Sequence, residues 1–293
     1  MGKDIFKNAK ARERQEEWYQ RFLVRANCKV HFDTVETSFG ESHILFAGDE
    51  SNPPLLCLHA MLTGSAHLLS ELKELTSTYR LILPDIPGHS VRGIPKRLSY
   101  KDGSNVRWIS EVLSALEIEK IHVLGISLGG FIAHRFAAAE PGSVHKLALI
   151  VPAGIVQGSV FKGLLSMSIP MIKYRLNPTE DNLKQVAGFL LSNWDEDWGN
   201  YLGDSMRDFF TPKSIPPLTS DEQLQNLTMP CLVIGADRDI SFPGEPMIQR
   251  VEAIMTEVET ELLKDTRHSP PTTEEFRNWL ANRLTLFYSE PRP

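Results

Sequence analysis

The stretch Ile121 to Gly130, IHVLGISLGG, sets a single hydroxyl, Ser127, between Gly125 and Gly129, with Gly130 following. An apolar run leads into it and the helix-forming LGGFIAHRFAAAE leads out, so a strand must turn sharply into a helix at the serine. At such a corner Ser127 takes a strained backbone conformation that presents its oxygen. Glycines two places to either side remove the side chains that would strike the neighbouring strand and helix. The first turn of the new helix points free N–H groups at the same spot. A hydroxyl presented this way suits nucleophilic attack, provided a base takes its proton. The same short string also arises by chance as a glycine-rich turn; its place after a buried strand and before a helix is what favours chemistry.

The elements that must hold this corner follow from hydrophobic periodicity. HFDTVET and SHILFAG, separated by Ser38 to Glu41, read as a strand pair. LLCLH, YRLILPD, KIHVLGI and KLALIV, between Leu55 and Val151, are near-continuous apolar strands, each followed by a helix-capable segment. CLVIGAD and VETELLK continue the pattern after a gap, completing eight strands. Strands apolar on both faces belong to a mostly parallel sheet flanked by helices, the α/β class. Pro152 to Thr228 shows helical patterns and no convincing strand, so residues 152–228 read as a helical cap inserted after the sixth strand, over the strands' carboxyl ends. Residues 31–151 and 229–293 then form the core. Residues 1–30 read as an N-terminal helical extension, an accessory arm with Phe6, Trp18, Phe22 and Leu23 as a narrow apolar seam.

Composition narrows the function classes. The net charge of −6 over 293 residues, with acids and bases interspersed and no basic stripe, argues against nucleic acid as a partner. The opening MGKDIFKNAKARERQEEW lacks the apolar run of a secretory signal, and no segment is long and apolar enough for a membrane span. Cys28, Cys57 and Cys231 are odd in number and widely spaced, which fits reduced thiols and a cytoplasmic protein. HExxH and the glycine-rich phosphate-binding motifs are absent, so neither a metal nor a nucleotide cofactor is expected.

The elbow, together with LCLHAMLTG (Leu56 to Gly64) and DIPGHS (Asp85 to Ser90), resembles the α/β-hydrolase superfamily in its capped serine-esterase branch, from Val35 to the C-terminus. VETSFGESHILFAG is also similar to naproxen-esterase-type carboxylesterases. The resemblance implies the α/β-hydrolase fold and a chain order of nucleophile, acid, histidine. Of nine histidines only His268 lies beyond CLVIGAD, which makes it the implied base. His59 and His89 sit in family-like loops, and His122, His134 and His145 read as packing residues. For the acid, Asp239 stands four residues before Pro243, the family spacing; Asp237 is the alternative, or else a support for the turn, and Asp265 reads as a local loop carboxylate. The family oxyanion hole places the backbone N–H groups of Leu128 and Met61 around the developing charge. Two departures stand out, Ala60 where the family has glycine after His59, and Arg267 where it has glycine before the histidine.

The implied activity is that of a serine carboxylesterase cleaving a small hydrophobic ester through an acyl-serine, without a cofactor. The same residues would also serve a thioesterase, lactonase, carbon–carbon hydrolase or perhydrolase-type haloperoxidase, and the fold can also act as a non-catalytic ligand binder. Phe161, Leu164, Leu165, Met167, Met171, Trp194, Trp198, Tyr201, Phe209 and Phe210 supply apolar cap surface, most of it expected to be cap core, with no substrate-binding residue assigned.

Overall fold

A computed structural model describes residues 5–158, 169–212 and 214–289. The described residues form an eight-stranded sheet of β1 (Val30–Thr37), β2 (Gly40–Ala47), β3 (Pro54–Leu58), β4 (Arg80–Pro84), β5 (Ile121–Ile126), β6 (Val144–Ile150), β7 (Cys231–Ala236) and β8 (Val258–Leu263), ordered β1-β2-β4-β3-β5-β6-β7-β8. β2 is antiparallel to β1 and β4, and every other pairing is parallel, the mostly parallel architecture expected. Because β3 lies beside β5, with Leu58 opposite Gly125, the loops leaving these two strands open at the same edge of the sheet.

The helices are α1 (Ala9–Ala26), α2 (Ser65–Leu72), α3 (Ser104–Ala115), α4 (Leu128–Ala139), α5 (Glu180–Ala187), α6 (Glu196–Asp208), α7 (Asp221–Gln225), α8 (Gly244–Ile254) and α9 (Glu274–Ser289). Side-chain alternation along the strands divides the core in two. Leu56, Leu58, Val123, Leu147 and Val233 face α3, α4 and α8; Leu55, Cys57, Leu124, Ile150 and Leu232 face α1, α2 and α9. Both faces are covered, which is why the inner strands carry no polar alternation. Among the described residues no helix is long and apolar enough to cross a membrane.

The chain between β6 and β7 carries a helical stretch over 169–176 and then α5, α6 and α7. α7 lies within this span, yet its Leu224 is buried in the core cluster with α4 and α8. The N-terminal helix is bound more widely than a seam of four residues suggests. Asn8 caps it by accepting from the Ala11 N–H at 2.9 Å, and Asn27, at φ 49°, ends it. Its buried face includes Trp18, Tyr19, Phe22 and Ala26, packed between α2 and α6. Polar ties to α6 run antiparallel along it: Gln15 Nε2 donates to Asp208 at 2.8 Å, Trp18 Nε1 to Asp204 at 2.8 Å, and Arg25 to Asp195 at 2.7 Å.

At the β5–α4 corner, Ser127 has φ 52° and ψ −112°. A Cβ on Gly129 would lie 2.0 Å from the Leu58 carbonyl oxygen, and one on Gly125 would lie 2.5 Å from that of Gly129. Both obstacles are backbone and cannot swing aside. A second fixed point is Asp85, wholly buried at the end of β4. It accepts from the Ser65 N–H at 2.9 Å, the Ser65 hydroxyl at 2.9 Å and His43 Nδ1 at 2.7 Å, and so ties β2 to the start of α2. Burial acts to raise its pKa, but the bond from His43 and the neighbouring polar groups outweigh this and hold it at about 2.

Gly129→Ala is expected to lower stability by roughly 1–3 kcal/mol, read as a shifted urea midpoint, since the β3–β5–α4 contact must open. An unshifted midpoint would contradict that contact. For Asp85 the sign is set by a folded pKa below the unfolded value of about 3.9. Its stabilisation, roughly 2 kcal/mol, is therefore complete above about pH 4 and lost as pH falls toward 2. The stability gap between the natural protein and Asp85→Asn should accordingly close over that interval; a gap independent of pH would count against the assignment.

Candidate active site

Three side chains meet at the carboxyl edge of the sheet. Ser127 Oγ lies 2.8 Å from His268 Nε2, and His268 Nδ1 lies 2.7 Å from Asp239 Oδ2. The other Asp239 oxygen accepts the N–H groups of Ser241 at 2.7 Å and Phe242 at 3.0 Å. Burial would raise the pKa of this carboxyl, but the imidazole beside it and the two backbone donors prevail and leave it below the ordinary aspartate range. Asp239 is therefore ionised and accepts from Nδ1–H, which leaves Nε2 as the acceptor facing the serine hydroxyl.

The loop carrying His268 is held from two sides. The Asp237 carboxylate accepts the N–H groups of Asp265 and Thr266, each at 3.1 Å, so Asp237 braces the turn while Asp239 meets the ring. From the segment between β6 and β7, Ser192 Oγ accepts the Arg267 N–H at 2.9 Å and donates to the Ser269 carbonyl at 2.6 Å, and the Leu190 carbonyl accepts from the Ser269 N–H at 2.8 Å. Ser192 sits in no motif, and sequence reasoning had no signal by which to find it. The missing glycine before the histidine has a local explanation: the positive φ in this loop falls on Asp265, at 53°, and not on Arg267.

The loop after β3 shows the same shift. Leu62, at φ 56°, carries the positive φ, so Ala60 faces no such demand. His59 is buried and bridges two loops: its Nε2 accepts the Ile86 N–H at 2.8 Å and its Nδ1 donates to the Ala60 carbonyl at 2.8 Å. Burial lowers its pKa, and the ring is neutral. His89 is likewise buried and pushed well below its usual range, with Nε2 3.1 Å from the Tyr100 hydroxyl. Met61 and Leu128 both border the cavity that Ser127 and His268 open into, and Leu128 is the first residue of α4, where an N–H has no acceptor within the helix.

That cavity measures about 760 Å³ and is mostly apolar, with Met171, Leu191, Trp198 and Met206 contributed from the segment between β6 and β7. Among the described residues, the acidic and basic side chains in its lining, apart from the two histidines, are Glu71 and Arg277. Glu71 accepts from Trp198 Nε1 at 2.7 Å, and burial, opposed by this bond and by Arg25 and Arg277, pushes its pKa up. Of the apolar residues singled out in sequence, Met171, Trp198 and Tyr201 line the cavity, Trp194 packs beside Tyr174 and Leu183, and Phe209 is buried against Phe6 with ring centres 4.7 Å apart. Phe210 is exposed, and Phe161, Leu164, Leu165 and Met167 lie outside the described residues. Among the described residues no group of three or more His, Cys, Asp or Glu side chains is placed to hold a metal ion.

Known proteins resemble the chain over most of its length. A protein named as an uncharacterized carboxylesterase, nap, of Bacillus subtilis is 26% identical over 261 residues, which is 84% of this chain and 82% of the relative. Carboxylesterase YbfK of the same organism is 24% identical across 80% of each chain. The crystal structure of naproxen esterase (carboxylesterase NP) from Bacillus subtilis has the same fold, with a TM-score of 0.81 at 20% identity, covering 94% of this chain and 98% of that one. Residues 53–274 match the α/β hydrolase fold family, and the chain belongs to that family.

Proposed function

We propose that the protein is a serine carboxylesterase acting on small hydrophobic carboxylic esters. The observation that carries this reading is the continuous hydrogen-bonded line Ser127–His268–Asp239, open at its serine end to an apolar cavity. The carboxylesterase names of two Bacillus subtilis relatives aligned over most of the chain support the reaction class.

The chemistry follows from the acceptor nitrogen facing the hydroxyl. As Ser127 Oγ attacks the ester carbonyl carbon, its proton passes to His268 Nε2, and Asp239 stabilises the resulting imidazolium without taking the proton. The carbonyl electron pair moves onto oxygen, where the backbone N–H groups of Leu128 and Met61 receive it. Collapse breaks the ester C–O bond, His268 returns its proton to the departing alkoxide, and an acyl-serine remains. Water repeats the sequence with His268 again as base, releasing the carboxylic acid and restoring Ser127. Within the span 152–228, the side chains that line the cavity, among them Met171, Trp198 and Met206, serve as a cap that favours acyl or aryl groups over charged ones. The buried, unpaired thiols of Cys57 and Cys231 accord with a cytoplasmic setting.

Short-chain aryl esters and a serine-directed phosphonate test the reading. The natural protein should turn over the ester and be labelled, whereas Ser127→Ala should lose at least about 10³-fold in kcat and take no label. Equal turnover by the variant would end the esterase assignment, and a natural protein inert to both reagents would favour a ligand-binding role. Asp239→Asn should lower kcat by about 10³- to 10⁴-fold by misplacing the imidazole proton, while Asp237→Asn, acting only on loop order, should cost less than about tenfold. The reverse ranking would make Asp237 the acid.

A further inference from the structure

We propose that Tyr201 is a positioning residue for the oxyanion site: its hydroxyl, donated to the Leu62 carbonyl, fixes the turn that orients the Met61 N–H toward the cavity. The inference rests on the hydrolase reading above and assigns helix α6, which also anchors α1, a part in the reaction.

Residues 60–63 form a tight turn closed by the Thr63 N–H on the Ala60 carbonyl at 3.4 Å. Turns with positive φ at the third residue are ordinarily built on glycine or asparagine, and here that residue is Leu62 at φ 56°. A leucine does not hold this conformation by its own preference, so something outside the turn must hold it. One end is pinned by the core. The Ala60 carbonyl accepts from His59 Nδ1 at 2.8 Å and from the Thr63 hydroxyl at 2.8 Å, and because the peptide is planar and trans, this also directs the Met61 N–H, which points the opposite way. The other end, the Leu62 carbonyl, is pinned by Tyr201. Met61 thus lies between two anchored carbonyls, one held by the sheet edge and one by α6.

Tyr201 itself has little freedom. It is 3% exposed, and its ring lies 4.2 Å from that of His67 on α2, 5.7 Å from Phe22 and 6.0 Å from Trp18 on α1, and 6.0 Å from Trp198. His67 has no partner on either ring nitrogen, and burial lowers its pKa to about 3, so it stands beside Tyr201 as a neutral aromatic wall. α1, α2 and α6 together set where the Tyr201 oxygen stands. Removing that oxygen leaves the packing in place and frees Leu62 to relax out of positive φ; Thr63 then shifts, and its N–H and hydroxyl loosen their hold on the Ala60 carbonyl, so the Ala60–Met61 peptide plane and the Met61 N–H turn with it. The substrate still binds, but the charge that develops on its carbonyl oxygen meets a displaced donor.

The test is Tyr201→Phe, which deletes one atom and keeps the ring, with every rate divided by the sites counted in a phosphonate end-point titration. kcat on an aryl ester is expected to fall by about ten- to a hundredfold, the loss typical of a misplaced group, with KM changed less than about twofold. The inhibition constant of phenylboronic acid, which forms a tetrahedral anionic adduct on the serine, should weaken by a similar factor. Unchanged kcat and boronate affinity overturn the role, as does a fall in rate that disappears once sites are counted, since that would be lost folding only. A natural protein that neither hydrolyses esters nor binds the boronate overturns the hydrolase reading instead, so the two failures are distinguishable.

Discussion

Where β5 turns into α4, two backbones approach until no side chain fits between them, and the geometry of the site starts from that contact. Gly129 lies against the carbonyl of Leu58 at the end of β3, and Gly125 against the carbonyl of Gly129. The closeness fixes Ser127 at a positive φ, and the rest of its backbone is held by neighbours: its N–H donates to the Ile150 carbonyl at 3.0 Å, and its own carbonyl accepts from Phe131 and Ala153, each at 3.0 Å. With every main-chain group of the serine satisfied, the hydroxyl is left to face the cavity. Strain at this residue is supported by β6 on one side and by the first turn of α4 on the other, the condition under which an unfavourable φ persists in a folded chain.

The histidine is secured by the opposite means. No close-packed corner restricts His268; it rides on a loop, and loops are held by what bonds to them. Asp237 binds two loop N–H groups from below, and Ser192 and Leu190 bind the flanking backbone from the segment between β6 and β7. Two acids in one strand end thus divide the work, one fixing where the loop lies and the other fixing which ring nitrogen carries the proton. The serine is placed by exclusion and the imidazole by hydrogen bonding. The segment between β6 and β7 thus meets the imidazole loop through Ser192 and Leu190, and meets the serine through the Ala153 N–H at its start.

This contrast also explains what the sequence made legible. The strands were readable because burial on both faces forces continuous apolar runs, and the elbow was readable because its crowding admits only glycine at fixed offsets. Spacing to Pro243 singled out Asp239 but left Asp237 open, since both stand at the same strand end and only their bonding separates them. The positive φ values at Leu62 and Asp265 left no glycine as a marker, because in the β3 loop tertiary hydrogen bonds and not residue type hold the backbone. α1 read as an arm for a related reason: Asp195, Asp204 and Asp208, which anchor it, lie 170 to 193 residues beyond the side chains they hold. Tyr19 escaped the apolar seam because its hydroxyl, 2.6 Å from that of Ser65, marks it as polar in a pattern count although the ring is wholly buried.

The ties between α1 and α6 differ in kind, and the difference decides what they do. Arg21 is 61% exposed where it meets Asp197, and such pairs contribute little in water. Asp208 is buried, met by Arg14 and Gln15, and a buried carboxylate left without them would be strongly unfavourable. The aromatic surfaces of Trp18, Phe22 and Tyr201 supply the attraction, but apolar contact alone would tolerate sliding. The ordered acceptors at 195, 204 and 208 do not: a shift of one helical turn would separate Arg25 from Asp195 and strand Asp208 together. Burial therefore brings the two helices together and the charges fix their register. Because Tyr201 lies on that same face of α6 and reaches the turn beside Met61, the register of the first helix in the chain is carried by a single hydroxyl to the edge of the cavity where Ser127 stands.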